Sequence, residues 1–535
     1  MNVSVRGTRF AAATLAAGIV TLTASPASAT DAATFFGGCP GGFTVFSSET
    51  VTGAASIPGN CQVDVKPGAT LTFDNVQVDV AGSFSTINNG TIVVVNGTSI
   101  TTDGGLTLDG GGIMTIADST LISETGGINI PPRDSLFITD SVLSAATTIT
   151  LGGAGGVRSI LGSSLSAVEG ITVATASTSI TGTPSSVVIG ESLLESDGFI
   201  SIGGAAYHTI LDSELIAGGE WTGGNATLTV APSALDSAPS EIRRTRLSAP
   251  DGTFHLGGNG QVTLEEVEVF AGGIGGTSYH GAAAELGPSN AIATRLTVNA
   301  PAGVVHLGGG NGWSCENCRV VSGGASSENI GIYVGPFQNI SMTDTRFHSK
   351  GGSIKMGGNG NVVLEGSKLQ GDVASTLGHG VIVGPSGTRS IIDSALKSKD
   401  GKIEVTGNGD GEVLGSKIKG NDDAGVFLTG AQDMNVTDSN VVSKKGIVRM
   451  SNGGDVVAAG SIFKAGGELG FIAENGFSSD TTSVTENKIK APEATIHSFG
   501  NATAIDNKFK VEGDIDIHGD DSCTSVGNDP DVPCN

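Results

Sequence analysis

Aromatic side chains are scarce in this 535-residue chain: Phe, Trp and Tyr together make up 4% of it, with only two Trp and three Tyr. Sustained apolar periods of 3.6 residues are missing too, which argues against bundles of amphipathic helices. A chain this poor in large side chains cannot fill several thick globular cores. It can fill one thin core of stacked Val, Ile and Leu.

Long apolar runs are also missing beyond the N-terminus, where no stretch approaches the roughly 20 residues of a membrane-spanning helix. At the N-terminus, two arginines precede a short apolar run from Phe10 to Leu22, and small residues occupy positions 27–29. This pattern is typical of a secretory signal peptide. We therefore expect residues 1–29 to be removed and the mature protein to be extracellular or at the cell surface, without a membrane span.

Basic residues are outnumbered, with 28 Lys and Arg against 53 Asp and Glu, and the net charge is −25. This balance disfavours nucleic acid as a partner. No P-loop, nucleophile elbow, H-E-x-x-H or dinucleotide-binding motif occurs. The acidic segments 407–410 and 421–423 are more typical of turns than of Ca²⁺ sites. We therefore expect no cofactor and no metal site, and the sequence gives Ca²⁺ binding no support.

Cysteine is the remaining scarce residue, and the six cysteines lie as three local pairs. The pairs are Cys39 with Cys61, Cys315 with Cys318, and Cys523 with Cys534. In an exported protein such an even set predicts disulfides, although the sequence alone leaves their connectivity open. For the C-x-x-C at 315–318, a redox-active pair or half of a zinc site are alternatives, but no second C-x-x-C or His pair completes a zinc site.

What the sequence has in abundance is a short repeat: aliphatic, any residue, Asp or Gly, then Ser, Thr or Asn, any residue, aliphatic. Its third residue falls, with looser copies included, at 118, 140, 162, 190, 212, 244, 266, 293, 316, 344, 366, 393, 415, 438, 460, 486 and 506. Many gaps are 22 residues, and alternate gaps are longer. A constant short gap indicates one structural turn of fixed circumference, and the longer gaps indicate an insertion at one corner of every second turn.

Short runs with period-2 alternation, such as residues 353–356, fill the space between these positions and predict strands bounded by Gly, Asn or Asp. One such turn cannot bury its apolar face alone, so the turns must stack. The repeat resembles that of the right-handed parallel β-helix superfamily, which includes pectate-lyase-like enzymes, across residues 60–518. The resemblance implies a fold and leaves the function open.

We therefore expect an all-β protein built as a single right-handed parallel β-helix. It would have about 17 coils of about 22 residues, with insertions in alternate coils. The expected boundaries are an N-terminal cap at 30–60, the β-helix at 61–518, and a C-terminal cap with a Cys pair at 519–535.

Stacking turns sequence periodicity into columns of side chains on the surface. One predicted column contains His255, Glu285, His306, Tyr333 and Lys355. It extends through Ser201 and Thr229 on one side and Ile382, Glu404, Phe427, Arg449, Ile472 and His497 on the other. The first four residues are the candidate catalytic group of a metal-independent lyase, with His or Tyr abstracting a proton, and Lys355 is a candidate substrate ligand. The polygalacturonase patterns Asn-Thr-Asp and Arg-Ile-Lys are absent, which disfavours a hydrolase of that type.

A second predicted column follows the Asp-Ser of each repeat, and eight of its twelve members are basic. The column reads Arg246, Glu268, Arg295, Arg319, Arg346, Lys368, Ala395, Lys417, Asn440, Ile462, Lys488 and Lys508. It is either a solvated sheet face or a track for a polyanion such as a uronic-acid polysaccharide. On the second interpretation, Arg246, Arg295, Arg319, Arg346 and Lys368 contact substrate.

All Trp and Tyr residues lie between positions 207 and 333, where the longest insertions also lie. Trp221, Tyr279 and Trp313 are candidates to stack on sugar rings, or alternatively to pack the insertions onto the rod. We therefore expect a secreted protein that binds polysaccharide as an adhesin or matrix component. The alternatives are a lyase acting on a uronic-acid polymer and a structural rod without a ligand. The oligomeric state is open.

Overall fold

The structure, a computed structural model, describes residues 29–535 apart from 88, 132–133, 154, 176–184, 205–206, 220–225, 233–238, 276–281, 336–338, 424 and 478. The predicted signal peptide therefore lies outside the described residues except for its last position. In the part of the chain that is described, no helix is both long and apolar enough to cross a membrane.

Short parallel strands, stacked in register, make up almost the whole molecule. Each complete turn contributes three strands, which we assign to a first, a second and a third face. Among the described residues the first-face strands number 21, one for each turn. They are Gly41–Val45, Cys61–Val65, Phe84–Ile87, Leu106–Leu108, Ile128–Ile130, Thr148–Leu151, Gly170–Ala174, Phe199–Gly203, Leu228–Ala231, Phe254–Leu256, Ala282–Leu286, Val304–Leu307, Ile330–Val334, Ser353–Met356, His379–Val383, Lys402–Val405, Val426–Gly430, Val448–Asn452, Phe471–Asn475, Ala494–Ser498 and Ile515–Gly519.

The second and third faces meet at a sharp corner. The second-face strands are Thr91–Val95, Met114–Ala117, Leu136–Thr139, Val157–Leu161, Ser186–Gly190, Tyr207–Leu211, Ser240–Arg243, Gln261–Glu265, Asn290–Thr294, Gly312–Glu316, Asn339–Thr343, Asn361–Glu365, Arg389–Ile392, Gly411–Leu414, Met434–Thr437, Val456–Ala459, Thr481–Thr485, Asn501–Ile505 and Ser522–Val526. The third-face strands are Ser99–Thr102, Thr120–Ser123, Val142–Ala145, Ser164–Ala167, Leu193–Ser196, Glu214–Ala217, Arg246–Ala249, Glu268–Ala271, Thr297–Ala300, Arg319–Ser322, Arg346–Ser349, Lys368–Gly371, Ala395–Ser398, Lys417–Gly420, Asn440–Ser443, Ile462–Ala465, Lys488–Ala491 and Lys508–Val511.

The first turns differ from the rest. Two long strands, Glu49–Ile57 and Thr70–Val80, run through both the second and third faces, and Thr30–Asp31 pairs with the first of them. A single helical turn, Ala32–Phe35, continues as the 3-10 turn Phe36–Gly38. Phe35 packs on Phe73, and Phe36 packs on Phe84, at the N-terminal end of the core. These contacts cover the first turn and exclude water from it.

The predicted all-β parallel solenoid is confirmed, but the described residues form 21 turns, not 17. The repeat pattern missed turns at both ends because their corners depart from the Asp-Ser sequence. Asn75 and Asn96 occupy the corner near the N-terminal end, with φ of 54° and 56°, and Gly527 occupies it near the other end, with φ of 66°. Stacking also begins at Gly41–Val45, before the predicted boundary at residue 61, and the last second-face strand lies beyond residue 518.

A buried ladder of hydroxyl and amide groups explains why Ser, Thr or Asn follows the corner residue. The backbone N–H of Ser394 donates to Ser416 Oγ at 3.0 Å, and that of Ser416 donates to Ser439 Oγ at the same distance. Towards the C-terminal end Asn takes over, as Ser461 N–H donates to Asn487 Oδ1 at 2.8 Å. The corner turns these backbone donors away from the strand ladder, so a side chain from the next turn must accept their hydrogen bonds.

The core and the cross-links agree with the sequence predictions. One continuous apolar core of Val, Ile, Leu and Ala runs along the rod. All three disulfides form, joining Cys39 to Cys61, Cys315 to Cys318, and Cys523 to Cys534.

The alternating insertions lie at the corner between the third and first faces, where residues 323–329 form a longer connection than residues 350–352 one turn later.

Candidate functional site

The first predicted column lies on the first face in the expected register. His255 pairs with Glu285, Glu285 with His306, His306 with Tyr333, and Tyr333 with Lys355, each in the next strand of the stack. These five residues are termed the first-face column below. Each is the residue before the last in its strand, so distant positions in the sequence become neighbours about 4.8 Å apart.

Glu285 is the centre of this column. Its Oε2 lies 3.3 Å from His255 Nδ1, and its Oε1 lies 3.5 Å from His306 Nδ1. Burial alone would raise the pKa of this carboxyl, but the hydrogen bonds and charges of the two histidines outweigh burial and lower the pKa to about 2. Glu285 therefore stays ionised and can orient the rings on both sides of it.

The two histidines differ in what they can do. His306 is buried, its Nε2 lies 2.9 Å from the carbonyl oxygen of Gly335, and its ring stacks on Tyr333 at 5.1 Å. With both ring nitrogens engaged, His306 is not placed to accept a proton from a substrate. The His255 side chain is 36% exposed and carries the oriented ring closest to solvent. Lys355 Nζ lies over the Tyr333 ring, 5.6 Å from its centre.

A second ionised carboxylate, which the sequence did not single out as a site, lies further along the first face. Glu404 Oε2 lies 2.7 Å from His379 Nε2 and 2.9 Å from Lys402 Nζ. The hydrogen bond from His379 is the main reason that the pKa of Glu404 falls to about 2, against an opposing effect of burial. His379 and Lys402 are the first residues of consecutive first-face strands and pair with each other. Aligning the first residues of the strands, in addition to the column positions, would have found the group of His379, Lys402 and Glu404.

The far end of the predicted column was wrong in one place. Ile472 pairs with Thr495, whereas His497 pairs with Glu474 and with His518. Thr495, two residues before His497 in the strand Ala494–Ser498, occupies the position predicted for His497.

The predicted basic column lies on the third face. Arg319, Arg346 and Lys368 are register neighbours, and all three side chains are exposed. Arg295 does not belong to this column, because Glu268 pairs with Thr297. Arg295 is instead the corner residue, with φ of 55°, and it contacts Glu265 and Glu266.

Arg246, at the N-terminal end of the column, is compensated by an acid. Its Nη1 lies 3.1 Å from Glu214 Oε1, and the nearby Arg244 contacts Asp212. These arginines therefore have less free charge to offer a polyanion than those that follow.

A second outward column, two residues further along each third-face strand, enlarges the basic surface. From Arg319–Ser322 to Lys508–Val511, the nine third-face strands carry no Asp or Glu. They carry eleven cations: Arg319, Arg346, Lys368, Lys397, Lys417, Lys419, Lys464, Lys488, Lys490, Lys508 and Lys510. We call this set the basic face. None of its members forms an ion pair with a carboxylate of the described residues.

The predicted aromatic ligands do not form a binding platform within the described residues. Trp313 is 2% exposed and points into the core from the second face, so its predicted contact with sugar is wrong. Trp313 is the second residue of the second-face strand Gly312–Glu316. Trp221 and Tyr279 lie outside the described residues.

Comparison with known proteins supports the architecture. Residues 372–513 match the family model described as "Right handed beta helix region". No curated protein and no solved structure gave a significant match. The family model covers turns that carry most of the basic face, and it implies the fold alone.

Proposed function

We propose that this right-handed parallel β-helix protein is secreted and binds a polyanionic polysaccharide along its basic face, as an adhesin or matrix component. The observation that carries the proposal is the basic face itself, eleven cations without one acid across nine strands of a chain whose net charge is −25. A random distribution of charge in so acidic a chain would place more Asp and Glu than Lys and Arg there.

The geometry suits an extended ligand better than a compact one. Strand stacking places the cations of neighbouring turns about 4.8 Å apart, and eight of the nine strands carry at least one cation. A linear uronic-acid polymer presents carboxylates repeatedly along its length, and Arg and Lys are the side chains that hold such groups. The predicted signal peptide and the three disulfides support an extracellular location, where such polymers occur.

Removing three cations of the basic face is expected to weaken polyanion binding. Arg319→Gln/Arg346→Gln/Lys368→Gln should raise the Kd for polygalacturonate or alginate about tenfold or more, and the affinity of the wild type should fall with added salt. Titration by calorimetry or biolayer interferometry measures both effects, with a neutral glucan as the uncharged comparison.

The matched control removes three arginines that already contact acids. Arg243→Gln/Arg244→Gln/Arg246→Gln changes the net charge by the same amount. It should leave the Kd within about twofold of the wild type, because those cations are neutralised locally. An equal loss of affinity in both triple variants would show a general effect of net charge and contradict the proposal. An affinity of the wild type that does not change with salt concentration would contradict it too. Failure of the wild type to bind any acidic or neutral glycan would favour a rod without a ligand.

A second candidate function, a polysaccharide lyase, rests on His255 and Glu285. An ionised carboxylate that orients a half-exposed histidine is an arrangement suited to general-base catalysis. If His255 abstracts a proton next to a uronate, unsaturated product should accumulate and absorb ultraviolet light. His255→Ala should then slow product formation at least about 100-fold, whereas Lys368→Gln should mainly raise KM. Wild-type protein that forms no unsaturated product from alginate, pectate or hyaluronan would eliminate this candidate.

A further inference from the structure

Two histidines and one aspartate converge at the last turn of the first face, away from the first-face column and the basic face. His497 and His518 are register neighbours in consecutive strands, and Asp520 follows the second strand by one residue. The imidazole rings of the two histidines stack with their centres 5.3 Å apart. Phe499 packs on the His497 ring at 4.8 Å and thereby restricts its rotation.

The potential ligand atoms lie at separations suited to a metal ion. Asp520 Oδ1 lies 3.0 Å from His518 Nε2 and 3.9 Å from His497 Nε2. One ligand atom from each of the three residues lies within 4.8 Å of the other two. An ion that binds N and O ligands at about 2.1 Å keeps them roughly 3.0–4.2 Å apart in tetrahedral or octahedral geometry. Small side-chain adjustments therefore bring all three atoms into coordination range.

The orientation of His518 is set by a backbone carbonyl. His518 Nδ1 lies 3.0 Å from the carbonyl oxygen of Asn535, and because that oxygen can only accept, Nδ1 is the nitrogen that donates. Nε2 is thereby directed at the Asp520 carboxylate. A histidine ligand whose other nitrogen donates to a carbonyl is the usual outer-shell arrangement of metal sites.

The segment that carries Asn535 is itself fixed in place. Asn535 N–H donates to the carbonyl oxygen of Ile517, and its side-chain Nδ2 donates to Asp516 Oδ1 at 2.7 Å. The disulfide between Cys523 and Cys534 ties the same segment to the rod. The carbonyl that orients His518 is therefore held by the last turn, which makes the donor set preorganised.

We propose that His497, His518 and Asp520 form a binding site for a divalent first-row transition-metal ion, with Zn²⁺ as the representative ion. Two imidazoles and one carboxylate favour Zn²⁺, Ni²⁺ or Cu²⁺ over Ca²⁺ and Mg²⁺, which prefer all-oxygen ligands. Three protein ligands leave further coordination positions to water. The prediction of no metal site, made from the sequence, overlooked this group because its members belong to two different turns.

Equilibrium dialysis of the tag-free, chelator-treated full chain against ZnCl₂ tests the proposal. We expect one Zn²⁺ per chain and no competition from a large excess of Ca²⁺. His518→Gln and His497→Gln should each weaken Zn²⁺ binding at least about tenfold, and the double variant should abolish stoichiometric binding. Circular dichroism of each variant checks that the fold is retained.

The control uses a histidine that contacts a carboxylate elsewhere. His348 Nε2 lies 3.1 Å from Asp372 Oδ2 on the third face, so His348→Gln removes a comparable pair without touching the last turn. This variant should bind Zn²⁺ with wild-type affinity. Absence of stoichiometric Zn²⁺ binding by the wild type would overturn the proposal, as would stoichiometric binding retained by the His497→Gln/His518→Gln variant. Because polyanion binding is measured on another face, it can succeed or fail independently of this result.

Discussion

Arg389→Ala is expected to lower the free energy of unfolding by about 3–5 kcal/mol, because the variant leaves buried carbonyl groups without a donor and opens a cavity. Arg389 is 1% exposed and points into the rod from the start of a second-face strand. Its guanidinium donates to the carbonyl oxygens of Gly409 and of Thr429, the latter at 2.7 Å. Burial lowers the pKa of this side chain to about 10, against the opposing effect of Asp410.

Two further variants separate loss of the hydrogen bonds from loss of volume. Arg389→Met keeps most of the side-chain volume and removes a buried charge, so it should lower the free energy of unfolding by less than Arg389→Ala does. Arg449→Ala removes a first-face arginine that is 42% exposed and paired with Glu474, and it should cost under about 1 kcal/mol. Urea denaturation measures the three changes, and hydrogen exchange should locate the Arg389 effect in neighbouring turns. Equal destabilisation by Arg389→Ala and Arg449→Ala would contradict the structural role assigned here.

A second buried arginine, which the sequence pattern did not predict, donates to carbonyl groups in the same way. Arg158 is fully buried, and its Nη1 donates to the carbonyl oxygens of Asp134 and Gly155 at 2.7 and 2.8 Å. Each arginine is one of the first two residues of a second-face strand, and its guanidinium donates to carbonyl groups that face the interior. Charged residues are almost never fully buried, so a sequence pattern assigns Arg at such a position to the surface.

The fold was predictable because a solenoid repeats its local rule. Asp118 and Asp140, with φ of 48°, mark the corner that every turn needs. The Ser that follows Asp140 accepts a hydrogen bond from the backbone N–H of Ser119 one turn earlier, and Ser163 accepts one from the backbone N–H of Ser141. The pattern fails where Asn occupies the corner, as at Asn75 and Asn96, and where the flanking aliphatic residues are missing, as around Gly527. For this reason the end turns escaped the pattern and the number of turns was underestimated.

The members of the columns could be predicted from the sequence only where the register between neighbouring strands was inferred correctly. His255, Glu285 and His306 align because each is the residue before the last in its strand, and these positions pair from turn to turn. An error of two residues in the alignment misplaced both Arg295 and His497, because Thr297 and Thr495 occupy the predicted column positions. The inward orientation of Trp313 depends on the same alternation, which cannot be inferred from the residue type.

Acid is expected to destabilise the protein partly through two carboxylates, Glu285 and Glu404. The pKa of each falls from its ordinary value of 4.5 to about 2 in the folded chain. A carboxyl with a lower pKa when folded stabilises the fold fully above its unfolded pKa. That contribution is lost as the pH falls from about 4.5 towards 2. Each shift corresponds to at most about 3 kcal/mol, and solvent screening at these partly exposed sites reduces this to about 1–2 kcal/mol.

Comparison of the wild type with Glu285→Gln/Glu404→Gln isolates this contribution. Between pH 5 and pH 2.5 the free energy of unfolding of the wild type should fall more steeply than that of the double variant. The difference in unfolding free energy between the two proteins should therefore become smaller as the pH falls. Glu195→Gln, which removes an exposed third-face carboxylate, serves as the matched control and should follow the wild type. A constant difference between wild type and double variant across this range would mean that the histidine contacts of Glu285 and Glu404 do not hold these carboxylates ionised in the folded protein.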